Sequence, residues 1–456
     1  MNVGVTAALA TVHGGQRADT SADLRVLIVA ENASARFGGE AALPLHYYRE
    51  LRARGIATWL LTHARTRREL GEAFPGDPNI IYVEESACHR FLWRLGSRLP
   101  AQLRYLTTEF LSRISTQLTQ RRIARRLIRE HGIGVVHQPI PVSPREPSLL
   151  YGLGCPVVIG PMNGGMNYPP AFAAHEGRAE RLFLGWGRAS AAVLNLLMPG
   201  KRRAALLLVA NERTRQALPA GACPRVEQLV ENGVDLSLWN APKGSNEARE
   251  HGASRCTTFV FVGRLIPLKC VDLLLHAFAN ARQEAPMRLW ILGDGPERTG
   301  LEQLAVELGL HDGGPNDTGV AHFAGWLPQA ACLKWLVQAD SLVLPSVREC
   351  GGAVVLEAMA LAKPVIAAAW GGPLDYLDPS CGVLVPVSSA DDLVTALQAA
   401  MVRLAASPAL RRRLGEAAAE KVEAEYNWKT KADRIVDLYV QAMTPVVAHG
   451  KPLSSR

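Results

Sequence analysis

Short apolar runs rich in β-branched residues recur along the first half of the chain. Each run is followed by a polar loop and then by a segment in which apolar residues repeat at helical spacing. A strand that is buried on both faces reads as such an unbroken run, so the alternation predicts a parallel sheet covered by helices. The predicted strands are residues 24–30, 57–62, 80–83, 134–137, 157–160 and 205–210.

The same rhythm starts again after a polar, loop-like stretch at 240–256. The second set of predicted strands is 258–262, 288–292, 322–324, 341–344, 365–368 and 382–385. Two sets in tandem predict an α/β protein with two doubly wound Rossmann-like domains facing each other across a cleft. The predicted parts are a flexible tail at 1–23, domains at 24–234 and 235–426, and a helix at 427–445 that packs back on the first domain.

Charge separates the two halves of the chain. Residues 1–235 hold 29 Lys and Arg against 19 Asp and Glu, a net charge of +10, and the remainder has −2. A basic face suits an anionic lipid surface, a nucleic acid or a phosphorylated acceptor, although a merely solvated basic surface explains it equally. Two basic, apolar segments could lie on a membrane, at 113–129 and 182–203, or be ordinary surface helices.

Other features narrow the class of protein. The eight cysteines include no close pair of the kind that binds zinc or cycles as a redox couple, which predicts free thiols in a reducing compartment. The first 23 residues lack the charged start and apolar core of a signal peptide. The sequence has no unbroken run of about 18 apolar residues, so no membrane-spanning helix is expected.

The segment at 343–361 carries the most specific chemical pattern. An apolar strand ends in a loop with Glu349, Gly351 and Gly352, and a helix with Glu357 follows. Glycines at a helix start expose backbone amides to a phosphate, and the two carboxylates could accept hydrogen bonds from ligand hydroxyls. The alternative makes Glu357 a surface residue and Glu349 a helix cap.

A second candidate loop follows the strand at 258–262. It contains Gly263 and Arg264, and Lys269 comes five positions after the arginine. A guanidinium and an ammonium at this spacing can clamp a diphosphate, the alternative being two exposed surface cations.

These motifs together resemble the C-terminal domain of glycosyltransferase family 4, which has the GT-B fold. The resemblance also includes Asp294-Gly295, Gly325 and Gly371-Gly372, and it is densest at 230–390. It implies that Arg264 and Lys269 hold the donor diphosphate, Glu349 the sugar hydroxyls and Glu357 the ribose. The implied donor site also includes Gly38, Gly39, Gly263, Gly325, Trp326, Gly351, Gly352 and Ala353.

The first half resembles the family less closely. Gly38-Gly39 matches its glycine loop after the first strand, and His137 resembles a histidine placed beside the reacting sugar, the alternative being a buried histidine bonded to backbone. Asn163, Gly164 and Gly165 resemble a glycine-rich loop expected at the acceptor. The implied catalytic set is His137, Glu349, Arg264 and Lys269.

Two positions depart from the family pattern. Cys270 stands where glycine usually follows the lysine, and Gly351 stands where an aromatic residue is common. Neither removes a charged ligand group. Because no Asp-x-Asp motif is present, we expect no metal requirement. We also expect no other cofactor.

The resemblance implies a retaining hexosyltransferase that moves a sugar from a UDP- or GDP-linked donor to a glycan or lipid-linked acceptor. Expected partners are the donor, this acceptor and an anionic membrane surface, but no nucleic acid. We expect the protein in the cytoplasm, peripheral on the inner face of the inner membrane, in bacterial polysaccharide or glycolipid synthesis. The alternatives are a catalytically silent sugar-nucleotide-binding scaffold and an epimerase of the same fold; a phosphorylase would need a lysine-bound pyridoxal phosphate, for which no site is evident.

Overall fold

The computed structural model describes residues 23–175, 190–239, 256–311 and 313–444. These residues form two compact units. The first unit takes in the described parts of Met1–Met162, Gly187–Glu231 and Ala432–Arg456, and the second takes in those of Asn163–Trp186 and Asn232–Lys431. Most of the predicted tail, residues 182–189 of the second basic segment, residues 240–255 of the linker and residue 445 lie outside the described residues.

The first unit is built on a parallel seven-stranded sheet in the order β3-β2-β1-β4-β5-β6-β7. Its strands are β1 Arg25–Val29, β2 Ala57–His63, β3 Ile80–Val83, β4 Val135–Gln138, β5 Val157–Met162, β6 Leu206–Val209 and β7 Val226–Gln228. β4, β5 and β6 are buried along their whole length. This explains why they read as continuous apolar runs.

Helices connect these strands. They are α1 Gly39–Ala53, α2 Arg67–Ala73, α3 Ala87–Gly96, α4 Ala101–Arg104, α5 Phe110–His131, α6 at 190–197 and α7 Glu212–Gln216, with a 3-10 turn at Ala64–Thr66 and a π-helical turn at Tyr105–Glu109. Ser86 starts α3 with a capping box to His89, and Gly132 ends α5 in the left-handed conformation.

The second unit is built on a parallel six-stranded sheet in the order β10-β9-β8-β11-β12-β13. Its strands are β8 Thr257–Val262, β9 Met287–Leu292, β10 Ala321–Gly325, β11 Ser341–Leu344, β12 Val365–Ala368 and β13 Gly382–Val385. Every strand in the sequence-derived set for this half is present, within a residue at each end.

The helices of the second unit surround that sheet. They are α8 Val271–Ala281, α9 Arg298–Glu307, α10 Gln329–Gln338, α11 Ala353–Ala360, α12 Pro373–Tyr376, α13 Ala390–Ala406 and α14 Pro408–Lys421, with 3-10 turns at Pro170–His175 and Pro267–Lys269 and a π-helical turn at Val422–Tyr426. The last helix, α15 Trp428–Met443, begins in the second unit, and from Ala432 onward it belongs to the first.

Three observations differ from the sequence-based expectations or add to them. The helical stretch expected from about 90 to 131 is interrupted between Gly96 and Ala101, where Pro100 lacks the N–H that a continuous helix needs. The short, half-buried strand β7 was not expected. Residues 163–175, expected as part of the first domain, cluster with the second unit.

Within the described ranges no single helix is long and apolar enough to cross a membrane. The pair α13 and Pro408–Tyr426, bent by 103°, passes that test only when joined, and by length and composition alone.

Candidate functional site

The loop after β8 holds three of the predicted donor-binding residues. Gly263 follows the strand directly, and its N–H donates to the carbonyl oxygen of Leu292 in β9 at 2.9 Å. Arg264 is exposed, whereas Lys269 is half-buried at the end of its 3-10 turn. The loop therefore presents one open and one shielded cation at the carboxyl edge of the second sheet, where ligands of doubly wound folds bind.

Lys269 forms an ion pair with Glu349, which lies in the loop after β11. The contact joins Lys269 Nζ to Glu349 Oε2, and each side chain is only 15% exposed. The backbones of the two loops also meet, because Val347 N–H donates to Leu268 O at 3.1 Å. An ammonium has three donors, so Lys269 can hold Glu349 and still bind a phosphate oxygen.

The start of α11 lies against this ion pair. Gly352 is the N-cap in the left-handed conformation, with φ 70° and ψ 54°, and no side chain caps the helix. A Cβ built at Gly352 would come within 3.0 Å of Glu349 Cγ, so glycine permits both the backbone conformation and the close approach. Gly351 and Ala353 flank this position and are half-buried. A helix start without a side-chain cap beside a lysine is suited to a phosphate group.

The Gly371-Gly372 loop after β12 packs against the backbone of Glu349. Gly372 N–H donates to Glu349 O at 2.6 Å, and a Cβ at Gly371 would lie 2.3 Å from the same oxygen. Only glycines allow backbone contact this close. The contact holds the backbone of the Glu349 loop in place.

Glu357 does not join this cluster through any described bond. It is half-buried in α11, and its Oε1 accepts a hydrogen bond from Gln329 Nε2 at 3.1 Å. Burial raises the pKa of Glu357 to about 7, and the bond from Gln329 only partly opposes that rise. Burial disfavours the charged form of this carboxylate, which makes Glu357 a candidate for binding a ligand.

The turn after β10 carries Gly325 and Trp326. Gly325 has a positive φ of 75°, and a Cβ there would meet the Arg298 guanidinium at 3.0 Å. Trp326 is 72% exposed. An exposed indole at a strand end offers a flat apolar face of the kind on which a nucleobase can stack.

The predicted acceptor residues Asn163, Gly164 and Gly165 lie in the second unit. The Asn163 side chain is buried, and its Nδ2 donates to Cys350 O at 2.7 Å. Four residues further on, Asn167 O accepts from Trp370 Nε1 at 2.9 Å. The structure thus attaches this loop to the backbone next to Glu349.

His137 lies in the core of the first unit, which changes its interpretation. Its Nε2 donates to Gly160 O at 2.6 Å, and its Nδ1 accepts from the Tyr439 hydroxyl at 2.7 Å. A neutral imidazole has one donor and one acceptor, and both are used. The side chain is fully buried, and burial lowers its pKa to about 4. This geometry is that of a buried histidine bonded within the core, and we withdraw His137 from the catalytic set.

Gly38 and Gly39 are exposed at the start of α1 in the first unit. Gly38 is the N-cap with φ 99°, a conformation that favours glycine. The next residue, Glu40, accepts a hydrogen bond from Val142 N–H at 2.9 Å through Oε1, and burial raises its pKa. The glycine loop therefore lies near the segment that follows β4.

Two residues next to the predicted set were given no role in the site from the sequence. Ser346 is fully buried, and its Oγ has no hydrogen-bond partner among the described residues. Gln329 holds Glu357, and the only signal for it was its position as the first residue of a helix that follows a strand-end loop. Over the described ranges, no three His, Cys, Asp or Glu side chains cluster as a metal site would require.

The match to a family model lies within the second unit. Residues 256–404 match the family model described as Glycosyl transferases group 1. A D-inositol 3-phosphate glycosyltransferase of Streptomyces bingchenggensis is 34% identical over 237 residues, which are 49% of this chain and 49% of that protein. The chain therefore spans about half the length of the curated relatives it matches.

Two solved structures share the fold. Anabaena HepE in complex with UDP has a TM-score of 0.61 at 14% identity, and the match covers 92% of this chain and 100% of the HepE chain. Sucrose-phosphate synthase from Thermosynechococcus elongatus has a TM-score of 0.60 at 19% identity, covering 91% of this chain and 98% of its own. These likenesses confirm the predicted α/β class with two Rossmann-like domains of the GT-B type.

Proposed function

We propose that this chain is a retaining glycosyltransferase that takes its sugar from a UDP- or GDP-linked donor bound mainly by the second unit. The observation that carries the proposal is the contact between Lys269 and Glu349 beside the uncapped start of α11. All of these groups lie in the segment 256–404 that matches the group 1 model. Relatives named as D-inositol 3-phosphate glycosyltransferases and the UDP complex of HepE support a nucleotide-linked donor.

Each proposed donor contact follows from the chemistry of its group. Arg264 binds the diphosphate through two N–H groups of its guanidinium, and Lys269 binds it as a single positive charge. Glu349 accepts from sugar hydroxyls, and Glu357 accepts from the ribose. The remaining proposed donor contacts are Gly38, Gly39, Gly263, Gly325, Trp326, Gly351, Gly352 and Ala353.

The reaction requires stabilisation of the charge that grows on the leaving diphosphate. The bond from the anomeric carbon to the diphosphate breaks, and a bond to the acceptor oxygen forms on the same face. The acceptor proton passes to a phosphate oxygen of the leaving group. The developing negative charge is stabilised by Arg264, Lys269 and the N–H groups at the start of α11. Each group contributes a few kcal/mol where it is preorganised. No metal takes part in these steps, so a chelator should leave the rate unchanged.

The proposed acceptor is a glycan or lipid-linked glycan in bacterial polysaccharide or glycolipid synthesis. We place Asn163, Gly164 and Gly165 next to it, because that loop is bonded to the backbone beside Glu349. A lipid-linked acceptor accords with a cytoplasmic enzyme that is peripheral on the inner membrane, and the +10 charge of residues 1–235 supports this location.

Hydrolysis of candidate donors tests the proposal. A transferase releases free sugar slowly from its own nucleotide sugar, so UDP- and GDP-sugars are incubated with native protein, with Glu349→Ala and with the control Glu307→Ala. Glu307 is an exposed residue of the same unit. Release by the native protein and the control, but not by Glu349→Ala, is the expected result. Binding of a nucleotide sugar without release by any of the three would make the chain a silent binder.

A further inference from the structure

Most of the positive charge of the first unit lies in one segment. Residues 87–129 contain ten arginines and no lysine, and their single acidic residue is Glu109. This segment therefore has a net charge of +9, whereas the whole chain has +8. It forms α3, α4, the π-helical turn and α5, and α3 packs against α5.

The same segment also concentrates exposed apolar side chains. Fifteen large hydrophobic residues are exposed in the described ranges, and six of them lie between residues 91 and 118. They are Phe91, Trp93, Leu95, Leu103, Leu111 and Leu118. A solvated basic surface explains the arginines but not the coincidence with exposed apolar groups.

α3 arranges the two kinds of side chain in rows. Its buried residues, His89, Leu92 and Gly96, lie on the side that faces the unit. Phe91 and Leu95, which are 64% and 47% exposed, lie four positions apart and form one row along the helix surface. Arg90 and Arg94, also exposed and four apart, form the adjacent row.

Several arginines of α5 are engaged within the unit. Arg121 Nε donates to Tyr151 O at 3.1 Å, Arg125 Nη2 donates to Gly152 O at 3.0 Å, and Arg113 pairs with Glu146 at 3.0 Å. These groups fix the loop after β4 and the segment before β5. The stretch 113–129 is one of the two segments that could lie on a membrane, and five of its six arginines have a bond or an ion pair inside the unit. In α3, Arg90 Nη1 donates to Glu85 O at 3.1 Å, and Arg94 is exposed.

We propose that the outward face of α3, defined by Arg90, Phe91, Arg94 and Leu95, docks the protein on an anionic lipid bilayer. Arginines placed beside a phenylalanine and a leucine match lipid phosphates lying above acyl chains. A soluble polyanion would pair with the arginines but would leave the apolar row in water. The inference deepens the membrane part of the proposed function, yet lipid binding can be measured without any glycosyl transfer.

Co-sedimentation of the full chain with vesicles tests the inference. The vesicles are phosphatidylcholine alone or mixed with phosphatidylglycerol, at low and high ionic strength. We expect the native protein to sediment only with the anionic vesicles and mainly at low salt. Arg90→Gln with Arg94→Gln should lower the partition coefficient about thirtyfold, from roughly 1 kcal/mol for each basic residue near an anionic surface. Phe91→Ser with Leu95→Ser should lower it about tenfold or more through lost apolar burial.

Matched changes in the second unit serve as controls. Arg403→Gln with Arg413→Gln removes the same charge, and Val306→Ser with Leu374→Ser removes exposed apolar groups there. All four double variants change exposed residues and should melt close to the native temperature. Native protein left in the supernatant, or equal losses in the controls, would overturn the inference.

Two further outcomes separate this inference from its rivals. Loss of binding in the arginine variant but not in the Phe91 and Leu95 variant would overturn the bilayer and indicate a soluble polyanion. Donor hydrolysis is measured in parallel. Absence of hydrolysis with intact, α3-dependent vesicle binding would count against the proposed transferase and leave the docking face supported.

Discussion

The two units repeat one topology but use the carboxyl ends of their strands differently. At the end of β4 in the first unit, His137 is fully buried and both of its ring nitrogens are bonded inside the unit. At the ends of β8 and β11 in the second unit, Lys269 and Glu349 meet while remaining partly exposed. A motif position at a strand end is therefore not enough to assign a residue to a ligand site. The side chain must also be accessible and have a hydrogen-bonding group left for the ligand.

Electrostatics separate the units as well. The first 235 residues carry +10, largely in the 87–129 segment, whereas the remainder carries −2. In the second unit the cations of interest are few and lie at one edge of the sheet. A broad basic surface suits an extended anionic partner, and two cations in a strand-end loop suit a diphosphate.

The largest expected effect is on Glu349. Glu349→Ala should lower the rate of donor turnover by about 10²- to 10³-fold or more, because a preorganised group at the reacting centre is lost. The fold should stay intact, since the side chain belongs to a loop and not to the core. Turnover and melting temperature are measured together, with Glu307→Ala as control. Normal turnover in Glu349→Ala would remove the donor-site assignment.

His137 should show the opposite behaviour. His137→Phe leaves the Tyr439 hydroxyl and Gly160 O buried without this partner, at about 1 to 3 kcal/mol for each group. Because burial lowers the pKa of His137 from 6.5 to about 4, the native protein loses stability as pH falls through that window. Urea unfolding at pH 7 and pH 5 should show a destabilised variant that loses less on acidification. Lost turnover at native stability would return His137 to the reacting centre.

Glu357 gives a smaller, pH-dependent effect. Its pKa is raised from 4.5 to about 7, so its contribution to folding is favourable at low pH and is lost as pH rises through 7. Glu357→Gln should therefore raise the melting temperature relative to the native protein more at pH 8 than at pH 5. An equal difference at both pH values, or the same trend in Glu307→Gln, would show that Glu357 is not held in a costly charged state.

The smallest effect concerns Cys270, which departs from the family pattern. Its φ is 49°, and a left-handed conformation costs a non-glycine residue roughly 1 to 2 kcal/mol. Replacement by glycine relieves that cost but loses side-chain packing and adds freedom to the unfolded chain. We expect a gain in the free energy of unfolding below about 1 kcal/mol. Ala362→Gly, at φ 54°, is the matched control, and a loss in Cys270→Gly alone would show that the buried thiol outweighs the strain.

The strands were predictable because a strand that is buried on both faces has a continuous apolar sequence. β7 was missed because it has only three residues, none of them buried. The break near Pro100 was missed because the helical spacing of apolar residues continues on both sides of it.

The charged groups of the candidate site were also predictable, but their contacts were not. Lys269 and Glu349 are 80 positions apart, and no local pattern encodes their ion pair. His137 receives one of its bonds from Tyr439, which lies 302 positions later. Such long-range partners decide whether a polar residue is a ligand group or part of the core.

The affinity of UDP and GDP for the second-unit loops tests the central claim most directly. Titration calorimetry on native protein, Arg264→Ala and Lys269→Ala is compared with Arg403→Ala, an exposed cation elsewhere in the same unit. We predict that whichever of the two nucleotides binds more tightly has the same affinity for the native protein and for the control. We also predict that each loop variant loses about 1 to 3 kcal/mol of binding free energy, the range for charge-assisted bonds. Unchanged affinity in both loop variants would contradict this prediction and place the diphosphate elsewhere.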